Sequence, residues 1–114
     1  MNKYQLLVKQ LFSINQDKKM KLGLERCFDM HSALGNPAEA YACVHVAGTN
    51  GKGSVTTKIA AAMQETGKRV GLFTSPHIST FRERIRVNGK MIEENEAEIL
   101  LEKIMALNPE ATFF

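Results

Sequence analysis

The segment that most constrains this chain begins with an apolar run, Val44-His45-Val46-Ala47. The run breaks into the loop Gly48-Thr49-Asn50-Gly51-Lys52-Gly53-Ser54, and helix-competent sequence from Val55 to Glu65 follows directly. A strand that turns through glycines into a helix is a unit of α/β architecture. Glycines at 48, 51 and 53 tolerate positive φ and crowd nothing, so successive backbone N–H groups can converge on one point. The N-terminus of the following helix adds unpaired N–H groups and a partial positive charge, and Lys52 adds a full one. Such a cradle suits the di- or triphosphate of a nucleotide. The strict loop pattern, G-x-x-x-x-G-K-[ST], is met in part. Gly51-Lys52 supplies its G-K pair, but Val46 stands at the first glycine position. Gly53 stands where Ser or Thr belongs, with Ser54 one place later. The alternative is a plain glycine-rich turn. The strand and helix on either side favour the cradle.

The 114 residues suffice for one small domain with its own core. A net charge of +3 allows anionic ligands without arguing for nucleic acid, and no basic stretch interleaved with aromatics appears. Cys27 and Cys43 lie outside any C-x-x-C or metal spacing and read as reduced, buried thiols of a cytoplasmic protein. No long apolar run opens the chain, so neither a signal peptide nor a membrane partner is expected.

Tyr4, Leu7, Val8, Leu11 and Phe12 recur at helical spacing, which predicts a helix over 2–13. Polar residues 13–21 read as a solvated linker. Residues 22–34 read as a second helix with Leu24, Cys27, Phe28, Met30 and Leu34 mostly on one face, ended by Gly35-Asn36-Pro37. Tyr41 to Ala47 is apolar on both faces, as a buried parallel strand would be, and Arg69 to Thr74 reads as a second. With the helix between them they form a βαβ unit and hence an incomplete, P-loop-type parallel sheet with flanking helices. Asn88-Gly89 between residues 84–87 and 90–92 predicts a hairpin. Residues 93–107 read as a helix, acidic at its start, and Asn108-Pro109 ends it.

Three motifs, in order, carry a resemblance: Leu22-Gly23-Leu24-Glu25-Arg26; His45-Val46-Ala47 followed by the G-T-N-G-K-G-S loop; and Thr74-Ser75-Pro76-His77 with Glu83-Arg84-Ile85 and Asn88-Gly89. This series resembles the folylpolyglutamate and dihydrofolate synthases of the Mur ligase superfamily, and the resemblance covers residues 20–114. It implies an ATP-dependent ligase in which ATP phosphorylates a carboxylate of dihydropteroate or folate. The amine of L-glutamate then attacks the acyl phosphate. It also implies ATP and Mg²⁺ as cofactors and only small molecules as partners: ATP, pteroate or folate, and L-glutamate.

Gly48, Thr49, Asn50, Gly51, Lys52, Gly53 and Ser54 would bind ATP, with Lys52 the catalytic cation on the β- and γ-phosphates. Ser54 reads equally as a helix cap. Ser75 lies just past the end of a predicted strand, where ligands bind in open α/β sheets. From the residues alone it is a turn-forming serine before Pro76, and the resemblance makes it a magnesium ligand. His77 either contacts substrate or shapes its loop. Leu22, Gly23 and Leu24 would lie near the pteroate ring by resemblance, and by pattern alone they start a helix. Arg82, Glu83 and Arg84 are either a solvated charge cluster or part of a loop that closes over substrate. His31 and His45 read as structural.

Members of that family are several times longer. The resemblance therefore places residues 1–114 as the N-terminal portion of an ATP-binding domain. The rest of that domain and a glutamate-binding domain would be absent, and a further magnesium-binding glutamate would come just after Phe113-Phe114. On that expectation the isolated chain is inactive as a ligase. The competing readings are a generic P-loop NTPase, which has no need of the Thr74–Asn88 block, and a non-catalytic nucleotide-binding module.

Overall fold

The computed structural model describes residues 1–17 and 24–107. Its elements are α1 (Lys3–Asp17), α2 (Glu25–Ala33), α3 (Lys52–Glu65), β1 (Gly71–Phe73), β2 (Ile85–Val87), β3 (Lys90–Met91) and α4 (Glu94–Leu107). Short 3₁₀ turns lie at Pro37–Ala40 and Phe81–Arg84. This is an α/β chain. It divides into two compact units, Met1–Cys43 with Asn95–Phe114, and Val44–Glu94.

In the first unit α1 opens with a reciprocal cap. The Gln5 N–H donates to Asn2 Oδ1 (2.9 Å) and the Asn2 N–H to Gln5 Oε1 (3.0 Å), satisfying two helix-end donors at once. The helix runs past the predicted linker boundary to Asp17, because Ser13 satisfies its hydroxyl on the Gln10 carbonyl (2.7 Å) without leaving the helix. Tyr4 on α1 and Ala97 and Leu101 on α4 are the buried apolar residues among those described. Beside them Lys3 Nζ meets Glu102 (2.9 Å) and Glu98 (3.7 Å), and the hydrogen bond to Glu102 raises the lysine pKa. α2 ends at Gly35 (φ 82°) and Asn36 (φ 55°), as expected from Gly35-Asn36-Pro37. There the His31 Nε2 accepts the Ala38 N–H at 3.1 Å, a contact in keeping with the structural reading. Cys27 and Cys43 are exposed, contrary to the reading of them as buried.

The second unit holds the sheet, in order β1-β2-β3, and both pairings are antiparallel. Leu72 faces Arg86, Arg86 faces Met91, and Val87 faces Lys90 across a two-residue turn. Asn88 (φ 50°) and Gly89 (φ 79°) both take the left-handed backbone that such a hairpin turn demands. Asn88 also exchanges hydrogen bonds with Val70, its N–H to the Val70 carbonyl and the Val70 N–H to its Oδ1, each 2.9 Å. Gln64 near the end of α3 donates to the Asn88 carbonyl at 3.2 Å, and α3 packs on β1.

The expected parallel sheet is not confirmed among the described residues, where both strand pairings are antiparallel. Residues 42–48 carry no ladder, and Val44 is 59% exposed. His45, expected inside a buried strand, is exposed. β1 instead takes its partner from β2, reached through a loop without a crossover helix, which permits antiparallel pairing. The apolar run at 41–47 has no ladder partner among the described residues.

Candidate functional site

The glycine-rich loop takes the shape that its sequence requires. Gly51 is the residue before α3 and sits at φ 77°, ψ 5°, the left-handed region that glycine adopts without strain. A Cβ added there would meet nothing within 4 Å, so the demand is on the backbone angle and not on space. Gly48 has φ 154°. α3 begins at Lys52, and no side chain caps its first turn. The N–H groups that open a helix have no intrahelical partner, so those of Lys52, Gly53 and Ser54 are available to an anion. Ser54 is thus the third residue of the helix and not its cap. Thr49, Asn50 and Lys52 are exposed, and Lys52 has no ion pair among the described residues. The hydroxyls of Thr56 and Thr57 turn back onto the Lys52 and Gly53 carbonyls at 2.6 and 2.7 Å.

The second motif lies within the same unit. A cavity of ≈ 420 Å³ is bounded by Gly53 and Thr57 of α3, Leu72 of β1, Thr74, Ser75, Glu83 and Arg86. Ser75 and the loop glycine Gly53 therefore share one cavity, whereas Lys52 and His77 do not line it. The Ser75–Pro76 peptide bond is cis. His77 Nδ1 accepts from Arg84 Nε at 2.8 Å, which leaves Nε2 to carry the proton of the neutral ring. The ring also meets Phe81 edge-on (6.2 Å between centroids), and the Arg84 guanidinium lies 5.9 Å from the Phe81 centroid. Of the two readings of His77, these contacts favour shaping the loop.

Glu83 is tied to the backbone of its own loop and is not simply a solvated charge. Its Oε1 accepts the Ile78 N–H (3.2 Å) and its Oε2 those of Ser79 (2.8 Å) and Thr80 (2.6 Å). These bonds hold its carboxyl below the usual carboxylate range, Thr80 contributing most. The pattern Thr80-x-x-Glu83 is a capping box, a signal legible in the sequence. Arg82 Nε donates to the Ile92 carbonyl at 2.6 Å, tying the 3₁₀ turn to the end of the hairpin. Arg86, which the motif reading passed over, places a cation on the cavity wall. The unit as a whole is basic, with eight lysines and arginines against four glutamates in residues 44–94.

Of the predicted substrate-side residues, Leu22 and Gly23 lie outside the described residues, and Leu24, at the start of α2, is 65% exposed. No group of three or more His, Cys, Asp or Glu is placed to hold a metal among the described residues. A nucleotide-borne Mg²⁺ needs less than that, since phosphates and waters supply most of its oxygens. The Ser75 hydroxyl at the cavity wall fits such an ion. Glu83 already takes three backbone N–H groups on its two oxygens, which leaves it less free to serve as a ligand.

No family model matches the chain. The dihydrofolate synthase/folylpolyglutamate synthase of Bacillus subtilis is 46% identical over 85 residues, 75% of this chain and 20% of that protein. The crystal structure of folylpolyglutamate synthase from Thermotoga maritima superposes with a TM-score of 0.83 at 36% identity, over 99% of this chain and 28% of that one. An FPGS–AMPPCP–folate complex gives 0.80 at 33% identity, over 94% and 26%. The chain thus spans about a fifth of the curated B. subtilis relative. These homologues belong to the Mur ligase superfamily. Within it, they are folylpolyglutamate and dihydrofolate synthases, and this chain matches their N-terminal part.

Proposed function

We propose that this chain supplies the nucleotide loop of an ATP-dependent ligase that adds L-glutamate to dihydropteroate or folate. The observation that carries the reading is the loop itself. Gly51 in the left-handed region releases an uncapped helix start beside an unpaired lysine, and the α3 that follows shares a cavity with Ser75. Solved structures of similar fold include complexes with AMPPCP and with AMPPCP and folate.

In this reading the backbone donors of residues 48–54 hold the polyphosphate, and Lys52 neutralises the β- and γ-phosphates. The γ-phosphoryl group passes to a substrate carboxylate oxygen as its bond to ADP breaks. The glutamate amine then bonds to the acyl carbon, phosphate leaves, and the amine gives up a proton. No protein nucleophile is needed; positioning and charge neutralisation suffice. Mg²⁺, when bound, would further neutralise the phosphates, and Ser75 is the residue that would hold it. Leu22, Gly23 and Leu24 would lie on the pteroate side. Residues 1–114 would form the first part of the ATP-binding domain of a cytoplasmic enzyme.

The test is calorimetric titration of the chain with AMPPCP and Mg²⁺, beside Lys52→Ala. A hydrogen bond from a charged group contributes about 1.5–3 kcal/mol, so the variant should bind roughly 10- to 100-fold more weakly. Equal binding by the two proteins would overturn the loop assignment.

A further inference from the structure

We propose that Glu83 is a positioning residue: its carboxylate preforms the turn that presents Ser75, and so sets the Mg²⁺-dependent part of nucleotide affinity. The inference rests on the nucleotide reading above. Ser75, Pro76, Ile78 and Ser79 are all exposed, and Ile78 reaches 98%. Apolar burial therefore does not hold this turn in place. What holds it is a set of polar ties to two adjacent residues. Glu83 takes the N–H groups of Ile78, Ser79 and Thr80. Arg84 accepts the Thr74 N–H on its carbonyl (3.0 Å) and donates from Nε to His77. Residues on both sides of Ser75 are thus fixed from one end of the 3₁₀ turn.

Three donors on one carboxylate is more than a surface connection requires. Bonds to an ionised acceptor are roughly twice as strong as neutral ones, and a bond that spans only a few residues costs little chain entropy. Glu83 and Ser75 also line the same cavity, so the anchor and the presented residue border one space. A binding group preformed in this way avoids an ordering cost when the ligand arrives. If the turn adopted its binding geometry a tenth of the time, apparent affinity would fall about tenfold.

The test uses two variants of the chain and two readouts. Glu83→Ala removes all three acceptor contacts. Glu83→Gln keeps one carbonyl oxygen, able to serve Ser79 and Thr80, and turns its NH₂ toward the Ile78 N–H. Amide exchange by NMR should show Ile78, Ser79 and Thr80 losing protection in Glu83→Ala and partly regaining it in Glu83→Gln. AMPPCP affinity should fall about tenfold in the alanine variant when Mg²⁺ is present and about threefold in the glutamine variant. It should stay unchanged in both when Mg²⁺ is absent. Wild-type exchange at the three amides, or unchanged Mg²⁺-dependent affinity, overturns the proposal. So does an equal loss with and without Mg²⁺, which would indicate general unfolding. Wild-type chain that binds no AMPPCP at all removes the nucleotide reading itself, whereas wild type that binds beside indifferent variants removes only the role of Glu83.

Discussion

The loop glycines offer a matched pair of substitutions with opposite expected signs. Gly51 and Gly53 are two residues apart, and a Cβ at either would meet nothing within 4 Å. Space is therefore equal at the two sites and only the backbone differs. Gly51 sits at φ 77°, where an L-residue costs about 1–2 kcal/mol. Gly53 lies inside the first turn of α3, where alanine should gain about 0.5–1 kcal/mol by helix propensity and by restricting the unfolded chain. Gly51→Ala should destabilise and Gly53→Ala should stabilise, a separation of about 2 kcal/mol. In a domain of this size each kcal/mol moves the melting temperature by roughly 4 °C or more, so the two variants should melt about 8 °C or more apart. Thermal denaturation followed by far-UV circular dichroism measures this. Shifts of the same sign and size in both variants would refute the argument that φ, and not contact, decides these positions.

Other outcomes follow from single contacts. Asn88→Ala removes the side-chain oxygen that accepts from Val70 and puts at φ 50° a residue that tolerates left-handed backbone less well than asparagine, and should cost about 1–2 kcal/mol in urea denaturation. Leu101→Ala removes one of the few buried side chains and should cost about 2–3 kcal/mol by the same measurement. The folded pKa of Glu83 lies below its ordinary 4.5, so its contribution is complete above that value. It is lost as the pH falls through the lowered folded value. An acid titration of stability should therefore be shallower in this range for Glu83→Gln than for the wild type.

Much of this architecture was legible in short-range signals. The Asn88-Gly89 hairpin, the Gly35-Asn36-Pro37 stop and the acidic start of α4 depend on chemistry within a few residues, and each element appears close to its expected bounds. Boundaries missed where a side chain satisfied itself locally. Ser13 bonds back to Gln10, so a polar stretch that reads as linker continues as helix. The thiols missed for a different reason. Cys27 lies on a helix whose apolar residues are themselves mostly exposed, Phe28 at 67%, and periodicity specifies a face without saying what covers it. Glu83 was visible only as one charge in a cluster. Its role depends on the loop doubling back so that three amides reach one carboxylate. Thr80-x-x-Glu83 hints at that geometry, but composition does not.

Strand direction shows where local reading stops. An apolar run on either side of a helix suggests parallel neighbours, but a run carries no record of which edge it pairs with. β1 takes its ladder partner from the loop and hairpin that follow it, and the run at 41–47 carries none among the described residues. The glycine-rich loop is insensitive to this outcome. Its shape comes from one glycine in the left-handed region and a helix that begins at the next residue, both fixed within a few bonds of Lys52. A strand before the loop would aim it, but the uncapped helix start after Gly51 is already made by the turn. The loop's geometry is local and the pairing of a sheet is not, which is why the loop is legible in the sequence where the sheet is not.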